Sequence, residues 1–208
     1  MTDFQRQALT LAQEQTSPEW LTPLREQGAA RWAAAAWPTR KTELWKYTPL
    51  TPLQNTCPSQ WAVKPNGDWQ QGIEPIEELD ATRLVFINGQ FSAEHSSALP
   101  EAVVRFADAN AGQSELIKQH LGKPLYVLNV STPEAEPAVS NQRLLMVLDD
   151  NSQAEVIEHF LSSAEQQNGF VNTLTEVVVG ANAQVQHYRI NLEQEDLLHV
   201  GGVHVDLH

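Results

Sequence analysis

The strongest constraint on this chain is an internal echo in its last third. Ala154, Val156, His159 and Phe160 recur as Ala183, Val185, His187 and Tyr188, 28 or 29 residues further on. Each copy follows an apolar run, Leu144–Leu148 and then Leu174–Val179, and a polar turn, 149–152 and then 180–182. Repetition at a period of about 20–50 residues marks a solenoid. The unit here is strand–turn–strand, so the solenoid it predicts is a β-helix, not a helical array. The continuous run Leu144–Leu148 predicts a strand covered on both faces. In the second copy Ala183 and Val185 share one face, whereas Tyr188, Ile190 and Leu192 share the other. Because a one-residue slip exchanges a strand's faces, this predicts a bend or bulge near His187. The segment 200–208 alternates like one more strand and would leave an open edge.

The beginning of the chain has a different texture. Thr2 and Gln5 are spaced as a capping box, and Phe4, Ala8 and Leu11 fall at helical intervals, so residues 3–15 read as an amphipathic helix. Ser17-Pro18 starts a single turn. Thr22-Pro23 opens a longer, alanine-rich helix that Pro38 ends. The stretch Trp37–Leu50 then gathers two tryptophans, a tyrosine and three cations between prolines. It reads either as a docking segment or as an aromatic turn that only packs. Residues 51–80 are rich in proline and glycine and read as a connector with little regular backbone. Leu84–Ile87 reads as a strand, and Asn88-Gly89 is a type I′ hairpin signal leading to Phe91. Further strands are expected at Pro100–Phe106 and Leu125–Val130, a helix over 113–121, and a loop over 131–141. The expected organisation is a helical domain at 1–50, a proline-rich connector at 51–82, and a mixed strand and helix segment at 83–208 leading into the β-helix.

Charge follows the same division. Residues 1–64 carry seven Lys/Arg against five Asp/Glu, whereas 65–208 carry six against twenty-one, within a total of −13. An acidic body argues against nucleic acid as a partner. No apolar run reaches the roughly 18 residues of a membrane span, and no signal segment is expected at the N-terminus. The single cysteine, Cys57, excludes an internal disulfide, fits a reducing compartment, and cannot supply the usual thiolates of an iron–sulfur cluster. A cytoplasmic protein is the expectation.

Pro38-Thr39-Arg40-Lys41-x-Glu43-x-Trp45-Lys46-Tyr47-Thr48-Pro49-Leu50 resembles the N-terminal hallmark of the SufB/SufD family, which takes part in iron–sulfur cluster assembly by the SUF system. Within the family it is more typical of the SufD branch. Arg83–Gly89 is similar to the family's strand and turn after the linker. Val156–Phe160, and Asn182-Ala183 with Val185-x-His187-Tyr188, resemble rungs of its right-handed parallel β-helix. The fold the resemblance implies is mainly β with α: an N-terminal helical domain and then an incomplete right-handed parallel β-helix. Family members are longer, which makes this chain an expected N-terminal portion, and they carry more residues where Gly122-Lys123-Pro124 joins two elements here.

The function implied is that of a non-catalytic scaffold subunit. It would pair with SufB through the β-helix and work with the ATPase SufC, which docks on a C-terminal helical domain beyond this chain. The family complex is associated with an iron–sulfur cluster, with ATP through SufC and with reduced flavin. No cofactor is assigned to this chain. The family's cluster-building cysteine and histidine residues lie in its C-terminal half, so no position here inherits a catalytic, cofactor or metal role. A homodimer is a further possibility. Two other readings stand beside this one: a β-helix enzyme acting on polysaccharide, and an interaction module binding through Trp37–Leu50.

Site chemistry from the residues alone is sparse. His204, Asp206 and His208 would share one strand face and could present metal ligands, but outward polar positions are the plainer reading. His159 and His187 are expected to stack as a structural ladder. Glu158 beside His159 invites acid–base chemistry, but strand neighbours face opposite ways. Cys57 lies in a loop without a nearby base.

Overall fold

The computed structural model describes residues 1–65, 69–70, 73–105, 107–109, 121–163 and 167–208. It is mixed α/β, mostly strands in parallel sheets with a few helices. Helix α1 (Asp3–Glu14) starts at the expected capping box: the Thr2 hydroxyl accepts from the Gln5 backbone N–H, and the Gln5 side chain accepts from the Thr2 N–H. Ser17-Pro18 leads into a single 3-10 turn, Glu19–Leu21. Ser17 does not cap it; its hydroxyl accepts from Arg25 instead. Helix α2 (Thr22–Ala34) stops three residues before Pro38 and buries no side chain fully. The connector is more regular than its prolines suggest, because α3 (Thr51–Thr56) and β1 (Gln60–Trp61) lie within it.

Nine strands among the described residues form two sheets. The first sheet has the order β1-β5-β7-β9, with β5 Ala138–Leu148, β7 Phe170–Val179 and β9 Leu198–Leu207. The second has the order β3-β2-β4-β6-β8, with β2 Thr82–Ile87, β3 Gln90–Phe91, β4 Leu125–Ser131, β6 Gln153–Ser162 and β8 Gln184–Leu192. From β4 onward the chain alternates between the sheets. Every pairing is parallel except the β2–β3 hairpin. That hairpin turns on Asn88 and Gly89, both at positive φ, as the Asn-Gly signal requires.

The register corrects the repeat read from the sequence. Leu125 lies opposite Val156, Val139 opposite Phe170, and Ala154 opposite Val185, an advance of 31 residues each time. Ala183, the sequence-level echo of Ala154, lies outside β8 in the turn before it. The mark of the true phase is in the turns. Asn151 and Asn182 both adopt the left-handed conformation, and Asn182 Nδ2 donates to Asn151 Oδ1 at 2.8 Å. The β6–β8 ladder also runs unbroken from Gln153–Gln184 to Leu161–Leu192, so no bulge lies near His187. The apparent change of phase arises because β8 places polar residues inward, which leaves its apolar ones outside.

Three apolar clusters hold the layers together. Leu84, Leu125, Val127 and Val156 of the second sheet face Met146, Leu148, Val177 and Val179 of the first. The outer face of the second sheet (Val85, Ile87, Tyr126, Leu128, Val130, Ile157, Leu161) is covered by Trp69, Ile73, Ile76 and Leu79 of the connector. Strand β4, buried along its whole length, is therefore the strand covered on both faces. Leu144–Leu148 is not, since Leu145 is 46% exposed. On the outer face of the first sheet, Phe4 and Leu11 of α1 pack on Val139 and Phe170 with Leu53. Among the described residues of 100–106 there is a turn, closed by Val103 N–H on Pro100 O, and no strand. The expected helix over 113–121 lies outside the described residues except for Leu121. The expected loop 131–141 is shorter, because β5 starts at Ala138. No helix among the described residues is long and apolar enough to cross a membrane.

Gly89 and Gly28 provide opposite tests of this packing. A Cβ at Gly89 would lie 3.3 Å from Asn141 O and from Ser140 Cβ, at a φ of +78°, whereas at Gly28 in α2 nothing lies within 4 Å. Gly89→Ala is expected to lower the unfolding free energy by about 1–2 kcal/mol, and Gly28→Ala to raise it by about 0.5–1 kcal/mol. Urea denaturation of the two variants beside the parent checks both signs.

Candidate functional site

The inward face of β8 is polar where the strands below it are apolar. Val156 lies under His187 and Phe160 under Asn191, while Glu158 lies under Arg189. Glu158 is 4% exposed and points between the sheets. A buried carboxylate is tolerable only with partners, and Glu158 has them from both sheets. Its Oε1 accepts from the Thr175 hydroxyl of β7 at 2.7 Å and from His187 Nε2 at 2.7 Å. The Arg189 guanidinium lies 3.7 Å away.

Arg189 opens a second chain of bonds. It donates to Thr173 Oγ1 at 2.9 Å and lies over the Phe160 ring, 5.0 Å from its centroid. The Thr173 hydroxyl is left to donate to His199 Nε2 at 3.0 Å, so His199 carries its proton on Nδ1 and donates to Glu193 Oε2 at 2.5 Å. The His199 ring stands edge-on to Phe160 at 4.8 Å. Gly201 completes the arrangement. It pairs with Thr173, and a Cβ there would collide with Thr173 Oγ1 and lie 3.1 Å from the guanidinium. The cluster thus holds one arginine and two histidines between two carboxylates in a largely buried layer. Its chemistry is fixed charge and directed hydrogen bonds.

A second buried pair lies on the opposite side of β6. Tyr126 Oη accepts from the Ile76 backbone N–H at 3.1 Å and lies 2.7 Å from His159 Nδ1. The imidazole uses Nδ1 for this bond, which leaves Nε2 as its other ring nitrogen. That nitrogen is buried with no hydrogen-bond partner among the described residues. Burial holds the His159 pKa below its ordinary value. Burial raises that of Tyr126, opposed by the Ile76 bond and by Arg83, whose guanidinium lies over the ring.

The residues singled out in the sequence are dispersed. His159 and His187 do not stack: His159 faces the connector, whereas His187 faces the interior and binds Glu158. His204, Asp206 and His208 share the outer face of β9, exposed, with His208 Nε2 3.6 Å from Asp206 Oδ2. No group of three or more His, Cys, Asp or Glu side chains suited to a metal occurs among the described residues. His199, close to them in sequence, points the other way into the polar cluster. Cys57 caps α3 in the left-handed conformation and is half-buried. Sequence reasoning missed the Glu158–Arg189 cluster because it aligned the repeat two or three residues short. At the true offset, the polar series His187, Arg189, Asn191 stands over inward positions of β6.

Comparison with known proteins points one way. Residues 129–208 match the family model described as SUF system FeS cluster assembly, SufBD core domain. The chain is 29% identical over 186 residues to the iron–sulfur cluster assembly protein SufD of Escherichia coli, covering 75% of this chain and 43% of that protein. It is 26% identical over 168 residues to an iron–sulfur cluster assembly SufBD family protein of Synechocystis, covering 60% of this chain and 37% of the relative. The chain therefore spans less than half the length of these curated relatives.

Two measurements check the geometry. Glu158→Ala leaves Thr175, His187 and Arg189 facing a vacated carboxylate, and is expected to cost about 3–5 kcal/mol in chemical denaturation, while exposed Glu176→Ala stays within about 0.5 kcal/mol. For His159 the folded state disfavours the proton that the unfolded chain accepts below about pH 6.5. Its contribution is complete above that pH and is lost as pH falls through it. His159→Asn, whose amide oxygen can still accept from Tyr126, should flatten the fall in stability between about pH 7 and 5 relative to the parent.

Proposed function

This chain belongs to the SufB/SufD family of SUF iron–sulfur cluster assembly proteins, and on that premise we propose that it is a non-catalytic scaffold subunit of a SufB–SufC–SufD complex. The observation that carries this reading is the regular alternation of β4 to β9 between two parallel sheets, with β8 and β9 at the ends of their sheets. We read these strands as rungs of a right-handed parallel β-helix. On the inward side of β9, Val203, Val205 and Leu207 continue the apolar row of Thr175, Val177 and Val179, yet they are 42%, 56% and 73% exposed. Apolar side chains in register with a core, beside an unpaired strand edge, are suited to being covered by further strands. In this reading such strands come from the rest of the same solenoid and from a SufB β-helix.

The subunit would then hold the complex in shape while SufC hydrolyses ATP, and support iron acquisition and cluster building elsewhere in the assembly. Iron and sulfide are cargo in this scheme, with their ligands placed elsewhere in the assembly. The complex would work in the cytoplasm. The buried Glu158–Arg189 cluster fits a scaffold role, because its groups satisfy one another and leave little free to act on a substrate.

Size-exclusion chromatography with SufB and SufC tests the proposal. The full-length version is expected to elute with both as one stable complex. Elution apart from both partners under low and physiological salt would sink the scaffold reading, and cleavage of a polysaccharide by the isolated protein would favour the enzyme alternative.

A further inference from the structure

The segment from Trp37 to Leu50 is anchored at both ends and presented in the middle. Trp37 and Leu50 pack with the α1 cluster, Trp37 edge-on to Phe4 at 5.4 Å. Between them the backbone bonds to itself: Thr39 O accepts from the Thr42 N–H at 2.8 Å, Thr42 O from the Trp45 N–H at 2.9 Å, and Thr42 Oγ1 from the Thr39 N–H at 3.1 Å. The turn therefore holds its backbone in place before any partner arrives. Leu44 is 92% exposed and Tyr47 86%. Around them stand Arg40, Lys41 and Lys46, all exposed, and none of them is ion-paired among the described residues. The Lys46 ammonium lies 5.2 Å from the Tyr47 ring centroid. Two apolar anchors beside three unpaired cations, against the single exposed carboxylate of Glu43, fit an acidic surface, and the backbone part of the ordering cost of binding has already been met within the fold.

The chain carries such a surface. In the connector, Ile73, Ile76 and Leu79 pack down on the second sheet, while Glu74, Glu77, Glu78 and Asp80 face solvent. Lys123 engages Asp80, and the three glutamates have no ion pair among the described residues. The two surfaces cannot meet within one chain. The aromatic turn lies with α1 over the outer face of the first sheet, whereas the connector lies over the outer face of the second, with both sheets between them.

We propose that the turn at 39–47 docks on the acidic connector of a second copy of this chain, with Leu44 and Tyr47 as anchors and Lys41 and Lys46 set against Glu77 and Glu78. The inference is independent of the scaffold reading. Because the two patches differ, the contact is head-to-tail, and association grows with concentration without stopping at a dimer unless the ring closes.

Sedimentation velocity on the whole chain tests it. At about 50 mM salt the weight-average sedimentation coefficient should rise with protein concentration, and at about 0.5 M salt it should fall to that of the monomer. Lys41→Glu with Lys46→Glu, and separately Glu77→Lys with Glu78→Lys, should each weaken association about tenfold or more. The chain carrying all four substitutions regains it, since the charges are then exchanged. All four positions are exposed, so the unfolding midpoint should hold, and a folding defect would not be rescued by reversing charge on the opposite face. Leu44→Ala with Tyr47→Ala should weaken association without charge change. No association at low salt, association indifferent to either charge pair, or failure of the fourfold variant to regain it overturns the proposal. Salt-resistant association would instead place the contact at the β8–β9 edge and equally overturn it.

Discussion

Parallel, in-register strand pairing governs this structure. Three ladders, β4–β6, β5–β7 and β6–β8, step by 31 residues, so each strand lies in register on the one before it in its own sheet. Fixed register in a parallel ladder fixes side-chain parity, because residues opposite each other face the same way. The inward row of one strand therefore continues the inward row of its predecessor. That continuity builds the core from Leu125, Val127 and Val156, and it also delivers Arg189 above Glu158.

The two sheets are closed on their outer faces by different parts of the chain, which gives the molecule its asymmetry. Helix α1 covers the start of the first sheet through Phe4 and Leu11, and the connector covers the second through Trp69, Ile73, Ile76 and Leu79. Buried polar bonds fasten both covers. Trp61 Nε1 donates to Leu11 O at 2.8 Å, and Ile76 N–H to Tyr126 Oη at 3.1 Å. Tyr126 then draws His159 into the same bond, so the connector, β4 and β6 share one polar junction inside an apolar layer. Asn88 does similar work at the hairpin. Its side chain bonds Val63 O, Thr132 and Glu134, tying two loops to one turn.

Inside the stack, composition changes along its axis. The layers at β4 and β6 are mainly aliphatic, whereas β8 and β9 bring His187, Arg189 and His199 to the same positions. The interior tolerates them because Glu158, Thr173 and Glu193 supply acceptors, with Thr175 donating to the same Glu158 carboxylate, and because Gly201 leaves room beside the guanidinium. A buried network of this kind contributes little net stability, but it strongly disfavours any register that would separate its partners.

Local signals carried much of the architecture. The Thr2–Gln5 capping box, the Ser17-Pro18 turn, the Asn88-Gly89 hairpin and the apolar runs of β2, β4 and β7 each depend on a few neighbouring residues, and all are present. The repeating strand–turn–strand unit was also legible, and so was the family resemblance, which the match over residues 129–208 supports. The sequence by itself determined many of the elements and their order, because caps, turns and strand runs act over short spans of chain, but it did not show α3 or β1, and it offered a strand at 100–106 that the described residues do not form. Only the tertiary structure decided the register of 31, the burial of β4 instead of Leu144–Leu148 on both faces, and the meeting of Glu158 with Arg189. Those depend on which strand lies beside which, and two apolar strands can align their side chains at several offsets with similar hydrophobic gain. The choice among offsets fell to groups that bond in only one of them: the stacked Asn151 and Asn182 turns, and a buried carboxylate that needed partners from both sheets.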